Sequence, residues 1–121
     1  MRKRILIADD SSTVRKFVLF TLKVKGFEVI AAVDGMDAME KMPADGVDLI
    51  ITDLNMPNMD GYEFIRSIRA DDNLKSIPII ILSSESKAAD KEKGMQAGAN
   101  SYLVKPFNAL KLQYEVAKYI N

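Results

Sequence analysis

Short apolar runs alternate with polar stretches of helical spacing along the whole chain. Ile5–Ala8 is continuously apolar between the basic Arg2-Lys3-Arg4 and the acidic Asp9-Asp10, as expected of a strand buried on both faces. Ser11-Ser12-Thr13 offers helix caps; Val14, Phe17, Val18 and Leu22 recur at helical intervals, and Gly26 is the stop. Glu28–Ala32 is a second strand, and Asp34-Gly35 turns into a short helix over about Met36–Met42, ended by Pro43 and Gly46. Val47–Thr52 is the third strand. Asp53–Asp60 contains Pro57, lacks periodicity and is a loop; Gly61–Ala70 is a helix carrying Tyr62, Ile65 and Ile68-Arg69 on its face. Ile77–Leu82, with Pro78 near its start, is the fourth strand, and Lys87–Ala97 is a weakly amphipathic helix closed by Gly98. Ser101–Val104 is the fifth strand, and Asn108 caps a last helix to about Ile120.

Five strand–helix units in strict alternation predict an α/β fold with a parallel sheet and helices on both faces, joined by right-handed crossovers. With 121 residues the chain is expected to be one domain over 1–121. No internal repeat, low-complexity segment or linker interrupts it.

Composition narrows the chemistry. Lys+Arg and Asp+Glu are 17 each, so the net charge is zero and no basic excess points to nucleic acid. Cys and His are both 0, which excludes disulfides, thiolate or imidazole metal sites, cysteine nucleophiles and a phosphohistidine on this chain. No run approaches a membrane span or a signal h-region, so a cytoplasmic protein without membrane contact is expected.

Ligands of open parallel sheets bind beyond the carboxyl ends of the strands. Asp9 and Asp10 follow the first strand, Asp53 the third, Ser83 the fourth and Lys105 the fifth; the second offers nothing, as an edge strand would. Three carboxylates at one edge repel unless a cation joins them. An oxygen-only set favours a hard ion, Mg²⁺ or alternatively Mn²⁺. Lys105 and Ser83 are suited to phosphoryl oxygens. Three Asp and one Lys sum to −2, which one divalent cation cancels. Any one of these residues is most simply a polar loop residue; the convergence of four strand ends gives the set its meaning.

In this order and on these elements, Asp9-Asp10, Asp53, Met56-Pro57-Asn58-Met59-Asp60-Gly61, Ser83-Ser84 and Lys105-Pro106-Phe107 resemble the response-regulator receiver domains of the CheY type over the full length. The resemblance implies the doubly wound five-stranded sheet of order 2-1-3-4-5, which general rules for such folds already attribute to CheY. It implies that Asp53 is the phosphoacceptor and that Asp10 and Asp53 ligate Mg²⁺. Asp9 would act through a bound water, and Asn55 would give its backbone carbonyl to the metal. Ser83 and Lys105 would bind phosphoryl oxygens, Tyr102 would be a rotameric switch, and Lys105-Pro106 would be cis. Glu85 falls at a position that varies and tunes phosphoryl lifetime.

The expected function is a stand-alone phosphorylation switch, not an enzyme in its own right, that assists its own phosphorylation and dephosphorylation. A histidine kinase or phosphotransfer protein would be the donor. A downstream protein would be the target, with a flagellar motor switch in chemotaxis as first choice. A phosphorelay intermediate or another single-domain regulator is the alternative. An aspartyl-phosphate phosphatase of the haloacid dehalogenase type fits less well, because Asp53-Leu54-Asn55 lies on the third strand and lacks the second acid. A flavodoxin-like carrier is disfavoured because Asp9-Asp10 would repel an FMN phosphate, and no glycine-rich nucleotide loop is present. A scaffold-only receiver conflicts with the intact acidic set. Elsewhere, Met36, Met39 and Met42 read as a core stripe, Met56 and Met59 as loop anchors, Lys87, Lys91 and Lys93 as a solvated face, and Asp34 and Asp37 as turn and cap residues.

Overall fold

The structure, a computed structural model, describes residues 2–121. Its strands are β1 (Arg4–Ala8), β2 (Glu28–Ala32), β3 (Leu49–Thr52), β4 (Ile79–Ser83) and β5 (Ser101–Val104). The helices are α1 (Ser12–Lys23), α2 (Gly35–Lys41), α3 (Gly61–Ala70), α4 (Ala88–Ala97) and α5 (Ala109–Ala117). All strand pairs are parallel and the order is β2-β1-β3-β4-β5, as expected. β2 and β5 are the two edge strands.

The continuous apolar runs are explained by burial from both sides. Leu6, Ile50, Ile79 and Ile81 face one core with Phe64, Ile65 and Ile68 of α3 and Ala38 of α2. Their strand neighbours Ile5, Ile7, Leu49, Ile51, Ile80 and Leu82 face the other, with Val18 and Leu22 of α1 and Leu112 and Val116 of α5. Each such side chain contributes about 1.5–3 kcal/mol on burial. Ser11, Asp34, Asp60 and Asn108 cap their helices by accepting N–H bonds from Val14, Asp37, Glu63 and Lys111.

At the end of the sheet away from the strand carboxyl ends, Arg69 ties three segments together. Its guanidinium donates to the carbonyls of Gly98 (2.9 Å), Lys75 (2.9 Å) and Ile77 (2.7 Å) and to Asn100 Oδ1 (2.9 Å).

Several expectations need correction. β3 starts at Leu49 rather than Val47, because the Asp48 carboxylate accepts the Arg4 N–H at 2.8 Å. β4 starts at Ile79, past Pro78, and runs through Ser83, so Ser83 closes the strand instead of following it. The last helix ends at Ala117. Met39 and Met42 pack against the core, but Met36 is 52% exposed, since the seven-residue α2 turns only one narrow face inward.

Candidate functional site

The expected acidic set does converge. Parallel pairing of β1 with β2 and β3 carries Asp9 and Asp53 to the same sheet edge: Asp9 N–H donates to Ala32 O at 3.1 Å and Asp53 N–H to Ala8 O at 2.9 Å. One carboxylate oxygen from each of Asp9, Asp10 and Asp53 lies within 4.8 Å of the other two. Asp9 is fully buried, Asp53 is 7% exposed and Asp10 faces solvent.

Asp9 is the most constrained. Its Oδ1 accepts the Ser11 N–H at 2.9 Å and its Oδ2 pairs with Lys105 Nζ at 2.9 Å. Arg15 donates to its backbone carbonyl at 2.8 Å. Asp53 Oδ1 accepts the Leu54 N–H at 2.7 Å, and Oδ2 lies 3.4 Å from Lys105 Nζ. Burial, followed by the charge of Asp9, pushes the Asp53 carboxyl above the usual aspartate range despite Lys105. Burial pulls Lys105 down, but the hydrogen bond to Asp9 and the charges of Asp53 and Asp9 outweigh it and hold the ammonium above the usual lysine range. A carboxylate so placed gains more than an exposed one from any added positive charge.

Lys105 reaches the pocket because β5 lies beside β4: its N–H donates to Ser83 O at 2.8 Å. The Lys105–Pro106 peptide is cis. Ser83 is fully buried, and its hydroxyl accepts the Glu85 N–H at 3.1 Å. Glu85 makes two further bonds. Its carbonyl accepts the Tyr102 hydroxyl at 2.8 Å, and its carboxylate accepts the exposed Asn55 side-chain amide at 3.1 Å. Burial raises the Tyr102 phenol.

The loop after Asp53 is folded back tightly. Gly61 N–H donates to Leu54 O at 2.9 Å, and a Cβ on Gly61 would lie 2.8 Å from Leu54 Cα and 3.0 Å from the Asp53 carbonyl carbon. Met56 is buried and Met59 packs on the same core, as loop anchors should. A clasp from the β2–α2 turn holds the loop's far side. Asn58, at φ 65°, donates its amide to Asp34 Oδ2 at 2.7 Å, and Gly35 N–H donates to Met59 O at 3.1 Å. Sequence reading gave Asp34 a cap role, which it has, but missed this clasp; its only signal was two turn clusters, with nothing to say that they meet.

Three carboxylates and no nitrogen or sulfur donor suit a hard divalent cation. The Asp9–Asp10–Asp53 cluster, one side closed by Lys105, is of that kind.

Residues 5–117 match the family described as the response regulator receiver domain. The chain is 41% identical over 117 residues to chemotaxis protein CheY1 of Helicobacter pylori (strain J99), covering 93% of this chain and 94% of that protein. The chemotaxis response regulator CheY4 of Vibrio cholerae superposes with a TM-score of 0.93 at 37% identity, covering 99% of this chain and all of that one. The receiver domain of the sensor histidine kinase PA1611 of Pseudomonas aeruginosa PAO1, which has a magnesium ion coordinated in its active-site cleft, superposes with a TM-score of 0.90 at 32% identity, over 99% and 98% of the two chains. With the family matched across nearly its whole length and the sheet order in agreement, this chain belongs to the response-regulator receiver domains and is CheY-like.

Proposed function

We propose that the protein is a phosphorylation switch in which Asp53 accepts a phosphoryl group from a phosphohistidine of a histidine kinase or phosphotransfer protein. The observation that carries this is the environment of Asp53. It is a buried carboxylate at the end of a central strand, raised above its usual range, beside Asp9, Asp10 and the Lys105 ammonium. An Asp53 oxygen attacks phosphorus, the P–N bond to imidazole breaks, and the leaving imidazole takes up a proton. The product is an acyl phosphate.

Asp10, Asp53 and the Asn55 backbone carbonyl would hold Mg²⁺, with Asp9 acting through a bound water. Mg²⁺ there supplies charge neutralisation for the phosphoryl oxygens, the main requirement of phosphoryl transfer. Asp9 fixes Lys105 by its 2.9 Å bond, so that the ammonium reaches the pocket already oriented. The Ser83 hydroxyl, which accepts from Glu85 and lies beside the Tyr102 phenol, would donate to a phosphoryl oxygen. Tyr102, bonded to Glu85, carries the response to the outer surface around β5. The same residues would assist hydrolysis of the acyl phosphate. The likeness to the two chemotaxis proteins supports a role in chemotaxis with a motor switch protein as target.

Acetyl phosphate with Mg²⁺ should add one phosphoryl group by intact mass, and Asp53→Asn should abolish it. Equal labelling of that variant, or an unchanged rate in EDTA, would overturn the assignment.

A further inference from the structure

α1 and α5 lie side by side, and Gln113 Nε2 of α5 donates to Thr21 O of α1 at 3.2 Å. Their outward face carries large apolar side chains in water. Phe20 and Val24 are i, i+4 neighbours on α1, and Leu110 and Tyr114 are i, i+4 neighbours on α5. Phe20 is 70%, Leu110 77% and Tyr114 68% exposed. A groove of about 420 Å³ runs along this face, lined by Leu110, Gln113, Tyr114 and Ala117 of α5 and by Lys25 and Phe27 after α1. It is separate from the apolar patch of Val14, Phe17, Pro106 and Phe107, which adjoins Lys105 and the site. Contiguous exposed apolar surface of this kind marks interaction sites.

Charge identifies the occupant. α1 carries Arg15, Lys16 and Lys23 and no acidic residue, and Lys25 follows it. At 3.6 residues per turn, Lys16 and Lys23 fall on the far side of Phe20 from α5. By the same geometry Lys111 and Lys118 fall on the far side of Tyr114 from α1. Among the described residues Glu115 is the one acid on α5, and it is engaged by Lys118 at 2.9 Å and by Ser101. The groove therefore lies between Lys16 and Lys23 on one side and, on the other, a row of Lys111 and the Glu115-paired Lys118. A second copy docked about a two-fold axis would set lysine row against lysine row, which like charge disfavours.

We propose that the α1–α5 groove docks an amphipathic helix of a partner protein whose apolar stripe is flanked by Asp and Glu. Apolar anchors would fill the groove lined by Phe27, Leu110, Tyr114 and Ala117 and extend over the exposed Phe20 and Val24 of the same face, and the carboxylates would meet the two lysine rows, the helix-in-groove mode of recognition.

The test uses the full chain and two designed helical peptides of about five turns. They share one leucine stripe; one is flanked by glutamates, the other by lysines. The acidic peptide should shift the amide resonances of Phe20, Val24, Leu110 and Tyr114. It should bind at least about tenfold more tightly than the basic one, with affinity falling as salt rises. Phe20→Gln and Leu110→Gln, whose side chains are exposed, should keep the melting temperature and lose binding; Lys23→Glu with Lys111→Glu should remove the preference for acid. Equal binding of the two peptides, or shifts confined to α4 and β5, would overturn the proposal. So would dimerisation of the protein alone that Leu110→Gln abolishes, because the occupant would then be a second copy.

Discussion

Replacing Asp53 by Asn should make the protein more stable at neutral pH while abolishing its proposed chemistry. The attraction of the Asp53 carboxylate to Lys105 at 3.4 Å is roughly 5 kcal/mol at an effective dielectric of about 20. Asp9, with an oxygen within 4.8 Å, opposes this by at least about 3.5 kcal/mol on the same scale. Asp10 is exposed, so water reduces its repulsion to about 1 kcal/mol. The charge terms nearly cancel, and the cost of burying the ion, still several kcal/mol after relaxation, decides the sign. The amide keeps an oxygen for the Leu54 N–H, and Lys105 keeps Asp9 at 2.9 Å. A gain of about 1–3 kcal/mol follows once imperfect fit of the amide is allowed for. For a chain of this length about 1 kcal/mol is roughly 4 °C in Tm, so the variant should melt about 4–12 °C higher.

The pH dependence checks the cause. Because the folded-state pKa of Asp53 is raised, the native protein holds that proton to higher pH than the unfolded chain does. Wild-type stability is then lost as pH rises from the unfolded aspartate value, about 3.9, through the folded value. The variant escapes that loss, so its advantage is full at pH 7 and shrinks as pH falls through the same interval. Thermal unfolding in EDTA across this range measures it. Mg²⁺ at a hundred times its Kd should stabilise the wild type by about 2.7 kcal/mol and the variant less, narrowing the gap. A variant no more stable at pH 7, or one whose advantage is the same at pH 4, would refute the reasoning.

Two further outcomes follow from the same geometry. Lys105→Met leaves Asp9 buried without its partner and should cost about 3–5 kcal/mol in urea unfolding, with part restored by adding Asp53→Asn; additivity of the two would sink this coupling. Gly61→Ala drives a Cβ against Leu54 Cα and the Asp53 carbonyl carbon and should cost about 1–3 kcal/mol, together with slower phosphorylation of Asp53 by acetyl phosphate; an unchanged rate would mean that the loop does not position the acceptor.

The fold was legible because both periodicity and punctuation were strong. Ile5–Ala8 and Ile77–Leu82 read as strands because sheet burial on both faces demands apolar runs. Boundaries drifted where a tertiary contact overrode the local pattern, as at Asp48, whose carboxylate is taken by Arg4, and at Pro78. Met36 was misplaced because a seven-residue helix exposes most of its circumference. The acidic set was legible because strand ends are where such sheets present side chains. The clasp of Asn58 on Asp34 was not, since it joins two turns 24 residues apart whose approach only the folded sheet determines.

The structure also alters how a switch of this kind would be wired. The resemblance makes Tyr102 a rotameric switch that would turn inward. Here Tyr102 already reaches across to Glu85 O at 2.8 Å, and its ring packs beside Gly94 of α4, where a Cβ would lie 3.5 Å from the ring. Ser83 and Tyr102 are therefore bridged by Glu85 as well as lying side by side at their hydroxyls. Glu85 gives its N–H to the Ser83 hydroxyl, takes the Tyr102 hydroxyl on its carbonyl, and holds Asn55 with its carboxylate. A phosphoryl group on Asp53 that draws the Ser83 hydroxyl inward would pull on the Glu85 peptide before any space opens. The Tyr102 hydroxyl and the Asn55 amide would move with it. On this wiring the side chain of Glu85 is dispensable for coupling and its backbone is not. Glu85→Ala should thus leave the beryllofluoride-induced amide shifts at Tyr102 in place, whereas Tyr102→Phe, which removes the hydroxyl bonded to that peptide, should weaken the response of α4. Equal loss of response in both variants would place the coupling in the Glu85 carboxylate and its bond to Asn55 instead.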